Sequence, residues 1–407
     1  MTVLRAEVTR RRFGVQLNLT YTDSAVGADT QGVCNLVRAL GIDLIRTGLF
    51  IENKGDNNAW WIFDTARKNG LRMHVGVSMK DGAGNLITIA EHIAALRKLV
   101  DAGCQIVSIS GPNEVNNKDW AAPYKQFGIE TDADRIAAAQ HFTLDLMRAI
   151  KADPALAAIE VTGWTGYDAP MLPPGSTEKI AAEVHSYPKD QKTLMDILPH
   201  DCEGVRKANP GCAWDLTETG YSTSVNDGWT KSVSEELQGT LLMQCYLDAL
   251  ALGARRVFMY QLSNNYGDDE NGALNFENGW GLAKRWRNTP KPSFAVMQRF
   301  FRLWRDDGHD ALRFALPAWR YGLTAAGGFK GSGLGVAFSD GSRGIWVWDH
   351  NPPSAKVTTK VGVDLGGTFA RVDAFRPSDG DAAFVQWTGA SKVTLALDAK
   401  PVFLRLR

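Results

Sequence analysis

Cysteine is scarce in this chain, and its spacing is not that of a scaffold. The 407 residues include 5 cysteines, Cys34, Cys104, Cys202, Cys212 and Cys245, an odd number with no C-x-x-C pair. That pattern excludes a disulfide framework and a cysteine-built zinc site. Cys202 and Cys212 are close enough to pair across a short loop, but buried free thiols are the expectation for all five. Charge of one sign is also missing: Lys+Arg and Asp+Glu both number 45, giving a formal net charge of zero. Without a basic excess the chain lacks the electrostatic footprint of a nucleic-acid binder. No apolar run reaches the length of a membrane-spanning helix, and Met1-Thr2-Val3-Leu4-Arg5 lacks the apolar stretch of a signal peptide. The expectation is no nucleic-acid and no membrane partner, with the chain either cytoplasmic or already stripped of a leader.

Metal and phosphate motifs are missing as well. His74, His92, His141, His200, His309 and His350 show no metal-ligand spacing, and no His-Glu-x-x-His occurs. Asp268-Asp269-Glu270-Asn271 lacks the spacing of a calcium loop and reads as a solvated loop. The stretch Gly331-Ser332-Gly333-Leu334-Gly335 has no helix after it and reads as a turn. Residues 363–371, with Gly366-Gly367, resemble the phosphate loop of hexokinase-like sugar kinases, but a Gly-Gly hairpin suits their strand-rich surroundings better. No metal and no organic cofactor is expected.

What is present is a regular alternation. From about residue 13 to residue 300, short β-branched runs alternate with amphipathic segments, the pattern of βα units on a parallel sheet. The predicted strands are Phe13–Leu19, Asp43–Thr47, Leu71–Val77, Ile106–Ser110, Ile159–Thr162, Glu183–Ser186, Ala213–Thr217 and Val257–Gln261. The clearest helices are Ile89–Ala102, Thr131–Ala152 and Ser234–Gly253, the last preceded by Ser232-Val233-Ser234-Glu235 at capping-box spacing. Eight such strands predict a closed (β/α)₈ barrel. A doubly wound open sheet would bring a glycine-rich turn after the first strand, where Leu19-Thr20-Tyr21-Thr22-Asp23 stands instead. After Phe300 the texture changes to short strands, Phe329–Phe338, Ile345–Asp349, Ser354–Val363, Thr368–Phe375 and Lys392–Leu397. These predict a small antiparallel β-sandwich. The division expected is a barrel over 10–308 and a sandwich over 312–407, with Val3–Thr9 lending the sandwich a strand.

Active sites of such barrels gather at the C-terminal ends of the strands. The fourth predicted strand ends Ser110-Gly111-Pro112-Asn113-Glu114, and the seventh leads into Thr217-Glu218-Thr219-Gly220. Glutamates at these two strand ends face each other across a barrel mouth. Cleaving a glycosidic bond needs such a pair, one to protonate the leaving oxygen and one to meet the anomeric carbon. The chain also carries 13 Trp, and indole faces suit sugar rings as well as cores.

Asn113-Glu114 after the fourth strand and Glu218 after the seventh resemble clan A glycoside hydrolases, retaining enzymes built on this barrel. The resemblance extends over most of the barrel, through Arg46 in Ile45-Arg46-Thr47 and His185-Ser186-Tyr187 after the sixth strand. It implies Glu114 as acid/base, Glu218 as nucleophile, Arg46 beneath the nucleophile, Asn113 on the sugar 2-hydroxyl, Tyr187 holding Glu218, and His185 lining the pocket. With those roles, Arg46 and the Tyr187 hydroxyl are expected to keep Glu218 ionised, and the Glu218 charge to keep a proton on Glu114. Gly279-Trp280-Gly281-Leu282, followed by Lys291-Pro292-Ser293, resembles the clan's passage from the eighth loop to the last helix. Two departures stand out: Val115 follows the acid/base where many members have Pro, and the eighth strand ends Tyr260-Gln261 where many carry Trp.

Further sugar contacts are expected from Trp164, Trp280, Asn18 and Gln261, and more remotely from Trp120, Trp229, Glu52, Asn264, Asn265 and Trp60-Trp61, the last pair beginning a helix where at least one should be core. The reading is a retaining glycoside hydrolase acting on a carbohydrate by double displacement. A transglycosylase and a non-catalytic carbohydrate-binding barrel remain as alternatives.

Overall fold

The computed structural model describes residues 2–407 apart from 53–58, 82–83, 116–131, 167, 190–191, 225–231, 268–277, 286–287, 326–328 and 352–356. The chain opens with β1 (Val3–Arg5), α1 (Ala6–Arg10), β2 (Phe13–Gln16), α2 (Ala25–Ala28), α3 (Thr30–Ala39) and β3 (Leu44–Gly48). It continues through α4 (Trp60–Lys68), β4 (Arg72–Val77), α5 (Ile89–Asp101), β5 (Gln105–Pro112), α6 (Asp132–Ala152) and β6 (Glu160–Thr165). There follow β7 (Ala181–His185), α7 (Leu198–Ala208), β8 (Trp214–Glu218), α8 (Glu235–Ala251), β9 (Val257–Met259) and α9 (Pro292–Arg302).

Strands β2 to β9 close into a parallel barrel, with β9 pairing back onto β2. All eight predicted strands are present, each shifted by at most a few residues at its ends. Their apolar runs fit a sheet buried on both faces, inside by neighbouring strands and outside by helices. Helix α5 starts where Thr88 accepts from the Glu91 amide while the Glu91 side chain returns to the Thr88 amide. That capping box replaces the one expected at Ser232: α8 is capped by Ser234, whose hydroxyl accepts from the Leu237 amide at 3.2 Å.

The remaining strands, β10 (Gly322–Ala325), β11 (Ser332–Ala337), β12 (Arg343–Trp348), β13 (Thr359–Phe375), β14 (Ala383–Leu397) and β15 (Val402–Leu406), form a mainly antiparallel sheet in the order β1-β11-β12-β15-β13-β10, with β14 on β13. Strand β1 joins it in parallel with β11, as the sequence suggested for the first residues, although Ala6–Arg10 turns helical. The first half of β13 pairs with β10 and its second half with β15, so the sheet folds over a core of Ile345, Val347, Val363, Leu395 and Leu404. Two expectations are corrected here. Gly366-Gly367 is not a hairpin but a bulge within β13, between Asp364 and Phe369. Gly366 has φ +69°, and a Cβ there would run into the Arg320 carbonyl, so glycine serves the bulge rather than a turn. Residues 331–335 are likewise no turn, since Ser332–Ala337 is strand β11.

The sheet packs on α8 and α9. Trp346 lies 5.2 Å from Phe300 and 6.0 Å from Trp304, centroid to centroid, and the Trp348 indole donates to Asp248 at 2.7 Å. Helix α8 is therefore covered on both sides, and residues 238–250 are buried throughout. All five cysteines are free, with burial pushing Cys104 and Cys202 up to about 11. No described helix is long and apolar enough to cross a membrane.

Candidate active site

The barrel mouth is built from the ends of β2, β3, β5, β6, β7, β8 and β9. Glu218 is the last residue of β8, and His185, the last of β7, is its register partner. Arg46 on β3 is buried and reaches across the barrel, its Nη1 donating to Glu218 Oε1. The other Glu218 oxygen accepts from the Tyr187 hydroxyl at 2.6 Å. Both oxygens of one carboxylate are thus held by strong donors. Burial works against the Arg46 charge, but Glu218, Glu183 and Tyr187 outweigh it and raise the guanidinium above its ordinary value. Burial, then the Glu218 charge, pushes the Tyr187 phenol well above its usual range, so it stays a donor.

Glu114 follows β5 in the left-handed region, at φ +45°. A non-glycine residue held there is strained, and such strain gathers where geometry matters. Its Oε1 lies 2.7 Å from His185 Nδ1, which is also 3.4 Å from Glu218 Oε2. One ligand atom from each of Glu114, His185 and Glu218 falls within 4.8 Å of the others, so the two carboxylates face each other at close range. Among the described residues this is also the one group of three with the donor set and spacing for a metal ion.

Asn113 completes the constellation. Its Oδ1 accepts from Arg46 Nη2 at 2.8 Å and from Thr165 at 3.4 Å. With that oxygen occupied, the amide nitrogen is the group left for a ligand. Three buried amides run on from Arg46: Gln16 accepts from Arg46 at 3.0 Å, Gln16 donates to Asn18, and Asn18 donates to Gln261 at 3.5 Å. Residues Arg46, Asn113, Glu114, His185, Tyr187 and Glu218 therefore come together as expected, and Asn18 and Gln261 stand on the neighbouring wall.

Other expected contacts sit deeper or are tied into the protein. Trp164 is fully buried in the barrel wall, because a bulge in β6 between Thr162 and Thr165 changes which side chains face inward. Thr165 takes the inward place. Trp280 is 2% exposed and packs edge-on against Tyr187 at 5.2 Å, backing that ring rather than offering an open face. Glu52 pairs with Lys98 at 2.7 Å, and Asn264 accepts from the Gly279 and Gly281 amides, which ties down the eighth loop. Trp60 carries Lys98 over its ring, whereas Trp61 is 48% exposed. Trp120, Trp229 and Asp268-Asp269-Glu270-Asn271 lie outside the described residues.

The sequence reading missed Gln16, Thr165 and Glu183. A polar residue inside an apolar strand was the available signal for Gln16 and Glu183; for Thr165 there was none without the bulge. Glu183 is fully buried beneath the site, 2.9 Å from His74 Nε2 and bonded to the Thr162 hydroxyl. Burial pushes its carboxyl up, but the His74 ring, Arg46 and Thr162 outweigh burial and bring it down to about 2, below the ordinary 4.5. A lowered folded value means that ionised Glu183 stabilises the fold fully above about pH 4.5, a contribution lost as pH falls towards 2. Urea unfolding midpoints are accordingly expected to fall less steeply between pH 5 and pH 3, by about one proton's worth of slope, in Glu183→Gln than in the parent.

No protein-family profile matches the chain, and no curated protein does. Solved structures do. A glucosidase from Croceicoccus marinus superposes with TM-score 0.54 at 13% identity, covering 92% of this chain and 91% of that one. SrfJ from Salmonella typhimurium superposes with TM-score 0.53 at 10% identity, covering 97% and 89%. The likeness is one of fold. The exo-β-1,4-mannosidase Op5Man5 from Opitutaceae bacterium strain TAV5, at TM-score 0.49 and 15% identity, shares 72% of this chain, which spans 59% of the mannosidase's length.

Proposed function

We propose that this chain is a retaining glycosidase in which Glu218 is the nucleophile and Glu114 the acid/base. The carrying observation is the approach of their carboxylate oxygens to within 4.8 Å. Retaining enzymes hold their carboxyl groups about 5–5.5 Å apart, and inverting enzymes hold them about 6.5–9.5 Å apart to admit a water. A glucosidase of the same fold over nearly its whole length supports the same class of substrate.

In the first step a Glu218 oxygen attacks the anomeric carbon while Glu114 gives its proton to the departing glycosidic oxygen. The C–O bond to the leaving group breaks, and an ester to Glu218 forms. Arg46 and Tyr187 keep the attacking carboxylate oriented and free of rotation. In the second step Glu114, now an anion, takes a proton from water as that water attacks the anomeric carbon and releases Glu218. His185, bonded to Glu114 at 2.7 Å, steadies the group that must change role between the steps. Asn113, its oxygen already engaged, turns its amide N–H towards the sugar hydroxyl beside the reacting carbon, where a bond that strengthens in the transition state lowers the barrier.

Hydrolysis of a panel of aryl glycosides and polysaccharides tests this directly. Turnover with a first-formed product of the substrate's own anomeric configuration is expected; an inverted product contradicts the assignment. In the same assay Tyr187→Phe is expected to lose about 10- to 100-fold in kcat, the value of one hydrogen bond to a charged group, with KM little changed.

A further inference from the structure

Beneath the catalytic carboxylates lies a second buried pair of side chains, His74 and Glu183, that the steps above do not use. Arg46 on β3, His74 on β4 and Ser108 on β5 are consecutive register partners, so their side chains share one layer of the barrel interior. Glu183 enters that layer from β7, two residues before His185. His74 Nε2 lies 2.9 Å from Glu183 Oε1, and its Nδ1 lies 2.6 Å from Ser108 Oγ. His74 and Glu183 are both fully buried. Among the described residues Glu183 Oε2, Arg46 Nε and His74 Nε2 have no hydrogen-bond partner, His74 Nε2 meeting Glu183 Oε1 by proximity alone.

A buried carboxylate calls for partners, because an unpaired buried charge is far more costly than a paired one. Arg46 is bonded to Glu218, and His74 Nε2 is the nitrogen that meets Glu183. The two pairs are not independent: Arg46 and His74 are register partners on adjacent strands, His74 meets Glu183 at 2.9 Å, and Arg46 and Glu183 each act on the other's charge. Resting on the glycosidase reading of Glu218, we propose that Glu183 and His74 are positioning residues that set how much of the Arg46 charge Glu218 receives. A neutral residue at 183 gives Glu218 the whole of Arg46, a tighter-held and weaker nucleophile. Without the His74 ring at 2.9 Å, Glu183 is left to draw Arg46 away.

The charged and titratable groups facing this system are few. Glu218 meets Arg46 from β3, His185 from β7, and Tyr187 and Glu114 from the following loops. Glu183 meets His74 from β4, Thr162 from β6 and Arg46 from β3. The two substitutions therefore push in opposite directions, which loss of packing alone cannot do.

The test compares the parent with Glu183→Gln, His74→Gln and the double variant. Two readouts are taken: kcat/KM against pH on an activated aryl glycoside, and a ¹³C-NMR titration of the Glu218 side-chain carboxyl, which needs no substrate. Opposite charge effects through one intervening group are worth about one pH unit. The acidic midpoint is expected to move down by about that much in Glu183→Gln, up in His74→Gln, and back towards the parent in the double variant. Movement in one direction for both single variants, or none in either, overturns the proposal. If a single variant does not fold, the other and the double variant still have to differ by that displacement. Displaced titrations without any turnover in the parent would sink the glycosidase reading and leave the pair standing. An active parent with unmoved titrations would do the reverse.

Discussion

Glu218→Ala is expected to abolish hydrolysis, with kcat lowered by at least about 10⁴-fold, as when a covalent nucleophile is removed elsewhere. No neighbouring group can take over, because the carboxylate is held from both sides by Arg46 and Tyr187, and the nearest other carboxylate, Glu114, is engaged with His185. The alanine leaves a cavity facing the anomeric carbon. A small anion such as azide should enter it and attack from the same side, giving a glycosyl azide of inverted configuration. The variant incubated with an aryl glycoside and azide, followed by ¹H NMR of the product, checks both points. A variant as active as the parent would show that the wrong carboxylate has been chosen.

Glu114→Ala should behave differently. Its task is to protonate the leaving oxygen, so the loss should depend on how much that oxygen needs the proton: about 10²- to 10⁴-fold for a natural glycoside, and far less for a dinitrophenolate. Azide should again restore turnover, but now by attacking the glycosyl enzyme from the face Glu114 occupies, and the azide product keeps the substrate's configuration. The basic limb of the pH profile, which reports the proton on the acid, should disappear. An unchanged profile, or an inverted azide product, contradicts the role given to Glu114. The strained backbone at this residue, φ +45°, is consistent with a side chain whose direction matters more than its comfort.

Much of this molecule could be read from periodicity. All eight barrel strands follow from apolar runs, and their C-terminal ends point to Arg46, Asn113, Glu114, His185 and Glu218 because in a parallel barrel a strand's last residue faces the mouth. The reading failed wherever a strand departs from strict alternation. The bulge in β6 exchanged Trp164 for Thr165, and the bulge in β13 made a long strand out of what read as a Gly-Gly hairpin. Bulges carry no simple sequence signature, since one extra residue reverses every facing after it. The place of Trp280 on the eighth loop was legible, but its packing against Tyr187 depends on how that loop folds back over the barrel. Glu183 and His74 were hidden because each alone looks like an ordinary polar residue in a strand. Only barrel closure brings β4 and β7 close enough to pair them.

The reading as a whole rests on a covalent bond to one side chain. The most direct measurement is mass spectrometry of peptides after treatment with an activated 2-deoxy-2-fluoro glycoside of the best substrate found, which forms the glycosyl enzyme quickly and releases it slowly. The expected result is one sugar mass added to the peptide carrying Glu218, and none in Glu218→Ala. A sugar attached to any other residue, or turnover of that substrate with no adduct and an inverted product, would contradict the account.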